Sequence, residues 1–204
     1  KTQTNPYLCN MHKAGFVNII GSPNVGKSTL TNAILGQKLV ITTAKAQTTR
    51  HRILGMLNTP EYQLILSDTP GIIAPAYKLQ ESMMQAVESV FDDADVLIYM
   101  VEIGQKSSKI PALISRLAKT NKPLILAINK IDSGNQNLLE ETIDAWKEQL
   151  PNADIWSISA LEKFQTEALM THIVALLPEH PPYFPKDQLT DKSERFVVNE
   201  VVRE

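Results

Sequence analysis

The feature that most constrains the fold is an apolar run followed by a glycine-containing loop and a helical pattern. Residues 16–20 (FVNII) are mostly apolar and partly β-branched, which predicts a buried strand. Residues 21–28 (GSPNVGKS) match G-x-x-x-x-G-K-[ST], and Gly36 supplies a later helix stop. The apolar residues between them have helical spacing: Leu30, Ala33, Ile34 and Leu35. Strand, glycine loop and helix in this order predict a phosphate-binding loop, against the alternative of a chance match in an ordinary strand–turn–helix.

The residue types of this loop suit a nucleoside triphosphate. Glycines allow a tight turn whose N–H groups point at phosphate oxygens, and the helix N-terminus adds partial positive charge. We expect Lys27 to contact the β- and γ-phosphates and the Ser28 hydroxyl to bind Mg²⁺. The predicted nucleotide-binding residues here are Gly21, Ser22, Pro23, Asn24, Val25, Gly26, Lys27, Ser28 and Thr29.

The rest of the chain alternates strand and helix patterns. Runs at 53–57 and 62–66 flank a turn sequence and predict an antiparallel hairpin. Continuous apolar runs at 96–101 and 123–128 predict strands buried on both faces. A further strand is predicted at 154–158, and helices at 79–91, through Leu113 and Leu117, at 138–150 and at 164–177. We therefore expect an α/β fold with a mostly parallel six-stranded sheet, one antiparallel edge strand and helices on both faces. Ligands of such sheets bind at the carboxyl ends of the strands.

Residues 129–132 (NKID) follow a buried strand and have the form N-K-x-D. Guanine presents N1–H and an amino group side by side, and the Asp132 carboxylate can accept from both. Adenine has no proton at N1 and would leave that carboxylate unpaired, which discriminates between the bases. We expect Asn129 to meet the acceptor edge of the base while tying its turn to the phosphate loop, and the Lys130 stem to lie along the base plane. The alternative is a solvated turn.

Two further loops complete the predicted site. Ser159, Ala160 and Leu161 are expected to direct backbone N–H groups to the guanine oxygen. Residues 68–71 (Asp68, Thr69, Pro70 and Gly71) have the form D-x-x-G, in which Asp68 would hold Mg²⁺ through water and the Gly71 N–H would meet the γ-phosphate. Thr49 is the favoured further Mg²⁺ ligand, with Thr48 left open. Loops 42–50 and 71–79 would then order with the triphosphate, unless the threonines of 42–50 merely solvate that loop.

Taken together, these motifs resemble those of translation-factor-type GTPases with a Ras-like P-loop domain. Residues 45–52 (KAQTTRHR), 21–28 and 191–196 (DKSERF) more narrowly resemble the Era family, from about Lys13 to the end of the chain. The resemblance implies GTP/GDP and Mg²⁺ as ligands and GTP hydrolysis at a low intrinsic rate. It further implies a C-terminal KH domain that binds the 3′ end of small-subunit ribosomal RNA during assembly of the 30S subunit. It also allows peripheral association with the inner membrane. The Leu161 position departs from the family, which more often has lysine or glutamate there.

The resemblance also bears on catalysis, for which Lys27, Asn24, Thr49 and Gly71 are the candidate residues. Ras-type enzymes orient the attacking water with a glutamine after the D-x-x-G glycine, whereas this chain has Ile72 there. In some GTPases similar to the Era family, a monovalent cation takes the place of an arginine finger. Asn24 could help to hold K⁺ in that place, or it could only hydrogen-bond within the loop. Both interpretations stay open.

Domain organisation and cellular location are predicted from the composition and from the position of a proline-rich segment. Residues 1–10 are polar and patternless, and residues 1–12 are expected to be a leader, followed by a GTPase domain over 13–177. Residues 178–192 contain four prolines in their first eight positions, which predicts an extended linker, and 193–204 predict the first helix of a further, RNA-binding (KH) domain. The net charge of −2 shows no basic excess for a strong nucleic-acid surface. A lone cysteine, Cys9, and no apolar run near the ~20 residues of a membrane span favour a cytoplasmic location.

The competing interpretations concern nucleotide and chemistry. A related GTPase of tRNA modification or ribosome assembly would carry different flanking domains. A nucleotide-binding scaffold would hydrolyse almost nothing alone. An ATP-using P-loop kinase is disfavoured, because such kinases lack N-K-x-D and usually carry an arginine-rich lid. Competition between GTP and ATP separates the last class from the others.

Overall fold

The computed structural model describes residues 12–36, 53–68, 91–108 and 110–191. Within these ranges a six-stranded sheet has the order β2-β3-β1-β4-β5-β6. Its strands are β1 (Lys13–Gly21), β2 (Ile53–Asn58), β3 (Tyr62–Asp68), β4 (Val96–Glu102), β5 (Leu124–Asn129) and β6 (Asp154–Ser157). Neighbours are parallel except for β2 and β3, which pair antiparallel at one edge. The predicted mostly parallel sheet with one antiparallel edge strand is therefore confirmed.

The described helices are α1 (Lys27–Leu35), α2 (Pro111–Ala118), α3 (Gln136–Gln149) and α4 (Thr166–Leu176), with a 3₁₀ turn at Ile131–Ser133. Helix α1 ends at Gly36, whose φ of 68° is the left-handed conformation that the predicted stop requires. Helix α3 begins two residues before the predicted start, because the Asn135 side chain accepts a hydrogen bond from the Leu138 N–H and caps it. The helix predicted over 79–91 lies, except for Phe91, outside the described residues.

The sheet separates two hydrophobic cores, which explains why residues 96–101 of β4 and 124–128 of β5 are apolar at every position. Ile98 and Met100 of β4 face the core that includes Leu30 of α1 and Ile173 of α4. The alternate residues of the same strand, Leu97, Tyr99 and Val101, face the opposite core, which includes Leu117 and Trp146. A strand buried on both faces leaves no position for a polar face. Among the described residues, no helix is long and apolar enough to cross a bilayer.

Residues 178–191, here called the strap, lie along the sheet instead of standing apart from it. The Ala14 N–H donates to the Pro178 oxygen at 3.1 Å, and the Met56 N–H donates to the Leu189 oxygen at 2.9 Å. Single antiparallel bridges join Lys13 to Glu179 and Gly55 to Thr190. The strap thus contacts β1 and the edge strand β2. The boundaries placed at 177 and 192 remain predictions.

Candidate nucleotide-binding site

The register of the parallel strands brings the predicted motifs to one edge of the sheet. The paired residues at this edge are Ile19–Asp68, Gly21–Met100, Glu102–Asn129 and Ile128–Ser157. Each motif follows or ends one of these strands, so the phosphate loop, Asp68, the turn at Asn129 and the turn at Ser159 are neighbours. This convergence was expected from the position of each motif after an apolar run.

The phosphate loop is packed closely against strands β4 and β5. Gly26 has φ 102°, and a Cβ at this residue would overlap the side-chain nitrogen of Asn129. A Cβ at Gly21 would lie 2.5 Å from the Met100 carbonyl oxygen. Asn24 is left-handed as well, with φ 61°, in a conformation that asparagine tolerates better than most residues. The loop therefore needs its two glycines for close approach and not only for turning.

Lys27 begins helix α1 and is 6% exposed. Its Nζ donates to the carbonyl oxygens of Gly21 at 3.1 Å and Ser22 at 2.9 Å. Burial lowers the pKa of Lys27 from 10.5 to about 8, and the nearby Asp68 carboxylate opposes that shift. No acidic side chain belongs to the first turn of α1, and the Asp68 carboxylate that contacts Ser28 in this turn comes from β3. An anion at this place would relieve the cost of burying the ammonium.

Ser28 and Asp68 meet at the end of β3. The Ser28 hydroxyl donates to Asp68 Oδ2 at 2.7 Å, and Asp68 is fully buried. Hydroxyl and carboxylate oxygens are the hard ligands that Mg²⁺ prefers, so this pair fits a magnesium ion. The other residues predicted around the metal and the γ-phosphate lie outside the described residues: Thr48, Thr49, Thr69, Pro70 and Gly71.

Asn129 links three loops through its side chain. Its Nδ2 donates to the Val25 oxygen of the phosphate loop at 2.8 Å, and its Oδ1 accepts from the Ala160 N–H at 2.9 Å. The hydrogen bond to Val25 is the link to the phosphate loop that the sequence predicted. The second was not foreseen, because it uses a backbone N–H that was expected to face the guanine oxygen.

Lys130 and Asp132 follow in a tight turn. Lys130 has φ 62°, and its carbonyl accepts from the Ser133 N–H at 2.9 Å and the Ser133 hydroxyl at 2.7 Å. Its Nζ lies 3.0 Å from Glu102 Oε2. Asp132 is exposed within the 3₁₀ turn. Sequence reasoning missed Ser133 and Glu102, since a serine in a turn and a glutamate at the end of a strand give no distinctive signal.

The turn after β6 has a fixed shape. Ser159 and Phe164 exchange backbone hydrogen bonds of 3.3 and 2.9 Å, and the Glu162 N–H donates to the Ser159 hydroxyl at 3.2 Å. Leu161 is 72% exposed at the tip, whereas Ser159 and Ala160 are buried. The three predicted residues are thus held beside Asn129 by the backbone, with only the leucine side chain directed into solvent.

The comparisons with known proteins agree with this geometry. The family model described as 50S ribosome-binding GTPase matches residues 16–130. GTPase Era of Clostridium novyi is 44% identical over 195 residues, covering 95% of this chain and 66% of that protein. GTPase Era of a Thermoanaerobacter species is 45% identical over 197 residues, covering 95% of this chain and 64% of that protein.

The same similarity is found among solved structures. A crystal structure of Era in complex with MgGDPNP and nucleotides 1506–1542 of 16S ribosomal RNA has a TM-score of 0.86 and 40% identity. The match covers 95% of this chain and 66% of that one. The chain therefore spans slightly less than two thirds of the length of these relatives.

Proposed function

The chain belongs to the Era family of GTPases, and we propose on that basis that its sheet domain binds GTP and GDP with Mg²⁺ and hydrolyses GTP. The observation that carries the proposal is the Asn129 link between the phosphate loop and the two turns expected around the base. A nucleotide in this site would contact the phosphate loop at one end and the two turns at the other, and the Asn129 side chain joins these segments. The MgGDPNP bound by the similar Era structure supports the same ligands.

The residues expected around the nucleotide have the following roles in this proposal. Lys27 and the N–H groups of the phosphate loop bind the β- and γ-phosphates. Ser28 and Asp68 hold Mg²⁺, together with Thr49 or Thr48, and when bound the ion neutralises charge that develops on the phosphates. Asp132 accepts from guanine N1–H and the amino group, and the Lys130 stem covers the base. The loops at 42–50 and 71–79 would order with the triphosphate and loosen after hydrolysis.

Hydrolysis would need a device other than the water-orienting glutamine, because Ile72 cannot form a hydrogen bond through its side chain. We propose that the Asn24 amide oxygen contributes to a K⁺ site beside the phosphates. The left-handed backbone at Asn24 supports a defined side-chain direction at this point of the loop. A nucleotide-binding scaffold with almost no turnover is the second candidate, and Ile72 is the observation that favours it.

For the complete protein, we propose binding of the 3′ end of small-subunit ribosomal RNA and a role in 30S assembly in the cytoplasm. The support is the 16S ribosomal RNA fragment bound by the similar Era structure and the family-like sequence at 191–196. Peripheral association with the inner membrane stays a prediction of the family resemblance.

Calorimetric titration with GTP, GDP and ATP in the presence of Mg²⁺ tests the nucleotide assignment. Guanine nucleotides should bind, and ATP should not compete with them. Lys27→Ala and Ser28→Ala should abolish tight GTP binding. Ser115→Ala is the matched control, since that hydroxyl donates to the Pro111 oxygen on an exposed turn of α2. Equal binding of GTP and ATP would refute the guanine site. Single-turnover hydrolysis with and without ribosomal RNA separates an active GTPase from the scaffold.

A further inference from the structure

Lys130 is held in place at three points. Its backbone is left-handed, a conformation that costs a lysine free energy. Its carbonyl accepts two hydrogen bonds from Ser133. Its ammonium pairs with Glu102 Oε2 at 3.0 Å, across the ends of β4 and β5. A lysine on a protein surface ordinarily keeps most of its side-chain freedom, so this degree of restraint needs an explanation.

The Glu102 end of the pair is equally well fixed. Glu102 of β4 pairs in register with Asn129 of β5. The backbone N–H of the next residue, Ile103, donates to the backbone carbonyl oxygen of Asn129 at 3.0 Å. The carboxylate therefore projects from a backbone that is bonded to the first residue of the N-K-x-D turn. The Glu102 side chain is 46% exposed, and the Lys130 side chain is 36% exposed. Ion pairs so open to water contribute little to the stability of a fold.

We propose that Glu102 is a positioning residue for the guanine base, acting through Lys130. The inference rests on the proposed function of this site. With its ammonium held by Glu102, the lysine stem is ordered before the nucleotide arrives. Binding then costs less side-chain entropy than it would with a free lysine. Glu102 does not touch the base in this proposal. Glu102 lowers the entropic cost of placing the Lys130 side chain over the base.

The experiment is a double-mutant cycle read by calorimetric binding of GDP–Mg²⁺. Glu102→Gln preserves the shape of the side chain and removes its charge. It should raise the Kd about three- to tenfold, the range expected for immobilising one long side chain on binding. Lys130→Met should weaken binding as well, and adding Glu102→Gln to that variant should change the Kd no further. The midpoint of thermal unfolding should stay within about 1 °C of the parent for Glu102→Gln, because the pair is exposed.

The control is Glu141→Gln, which removes the charge from an exposed pair of similar geometry. Glu141 Oε2 lies 2.7 Å from Lys106 Nζ on the α3 side of the domain, and its loss should leave the Kd unchanged. If the parent binds GDP and Glu102→Gln binds it equally well, the positioning role is refuted. An equal loss in the parent and Lys130→Met backgrounds would refute action through Lys130. Failure of the parent to bind GDP would instead refute the proposed function.

Discussion

Gln63 connects the strap to the sheet through its side-chain amide. It lies in β3 and is fully buried. Its Oε1 accepts from the N–H groups of Tyr183 at 2.7 Å and Phe184 at 3.0 Å. Its Nε2 donates to Asn58 Oδ1 at 2.7 Å and to the Phe184 oxygen at 2.8 Å. One amide thus satisfies three backbone groups of the strap and one side chain of β2.

Gln63→Leu keeps a side chain of similar size and removes all four hydrogen bonds. A buried polar group left without a partner costs about 1–3 kcal/mol. The cost is not incurred four times, because Tyr183 is 42% exposed and water can reach part of the strap once it loosens. The rings of Tyr183 and Phe184 would also lose their edge contacts with Phe16, at centroid distances of 5.1 and 6.4 Å. We expect a loss of about 2–4 kcal/mol in the free energy of unfolding.

For a chain of this size, that loss lowers the thermal midpoint by about 5–15 °C. Differential scanning calorimetry measures it directly, and chymotrypsin cleavage after Tyr183 should become faster as the strap opens. Gln149→Leu is the control, since Gln149 is only half-buried and its amide donates to the oxygens of Lys106 and Ala145. If the thermal midpoint of Gln63→Leu lies within 2 °C of that of the parent and its cleavage rate is unchanged, the strap is held by contacts other than those of Gln63.

Three further predictions concern the nucleotide. Burial lowers the pKa of Lys27 to about 8, and bound phosphates should keep its ammonium protonated, so GDP binding should take up a proton and weaken as the pH rises from 8 towards 10. Titrations in two buffers of different ionisation enthalpy measure this proton uptake. Its absence at pH 9 would contradict a buried ammonium at Lys27. Asp132→Asn should weaken GTP binding about ten- to a hundredfold and favour xanthosine triphosphate; unchanged GTP affinity would remove the guanine assignment. GTP turnover should be faster in K⁺ than in Na⁺ at equal ionic strength, and Asn24→Ala should abolish the difference; equal parent rates in both salts, with and without RNA, would make Asn24 structural.

The central sheet could be predicted from the sequence because its physical signal is local. A continuous apolar run, as at 96–101 in β4 and 124–128 in β5, indicates burial on both faces, which a parallel sheet covered by helices provides. The antiparallel pair β2 and β3 was found from the turn residues between them. Strand ends were less well defined: β1 begins at Lys13, three residues before its apolar run, because Lys13 and Ala14 pair with β3.

The strap could not be predicted because its contacts are not local. Its prolines exclude a helix and a regular strand, and that much was visible in the sequence. Part of its attachment is formed by Gln63, a buried polar residue that is 120 residues away from Tyr183 along the chain. A buried glutamine has no preferred partner that could be inferred from sequence. The same reason applies to Glu102, whose partner Lys130 is 28 residues away.

Asn129 shows how a short motif can fix a site that is far apart in sequence. Its amide is 104 residues from Val25 and 31 from Ala160, and it offers a donor to the first and an acceptor to the second. Aspartate would lose the donor, and serine would be too short to reach both. The contact also sets a condition on Gly26, since any Cβ there would occupy the place of the Asn129 nitrogen. The glycine of the phosphate loop and the asparagine of N-K-x-D therefore constrain each other, and a single side chain joins the proposed phosphate site to the proposed base site.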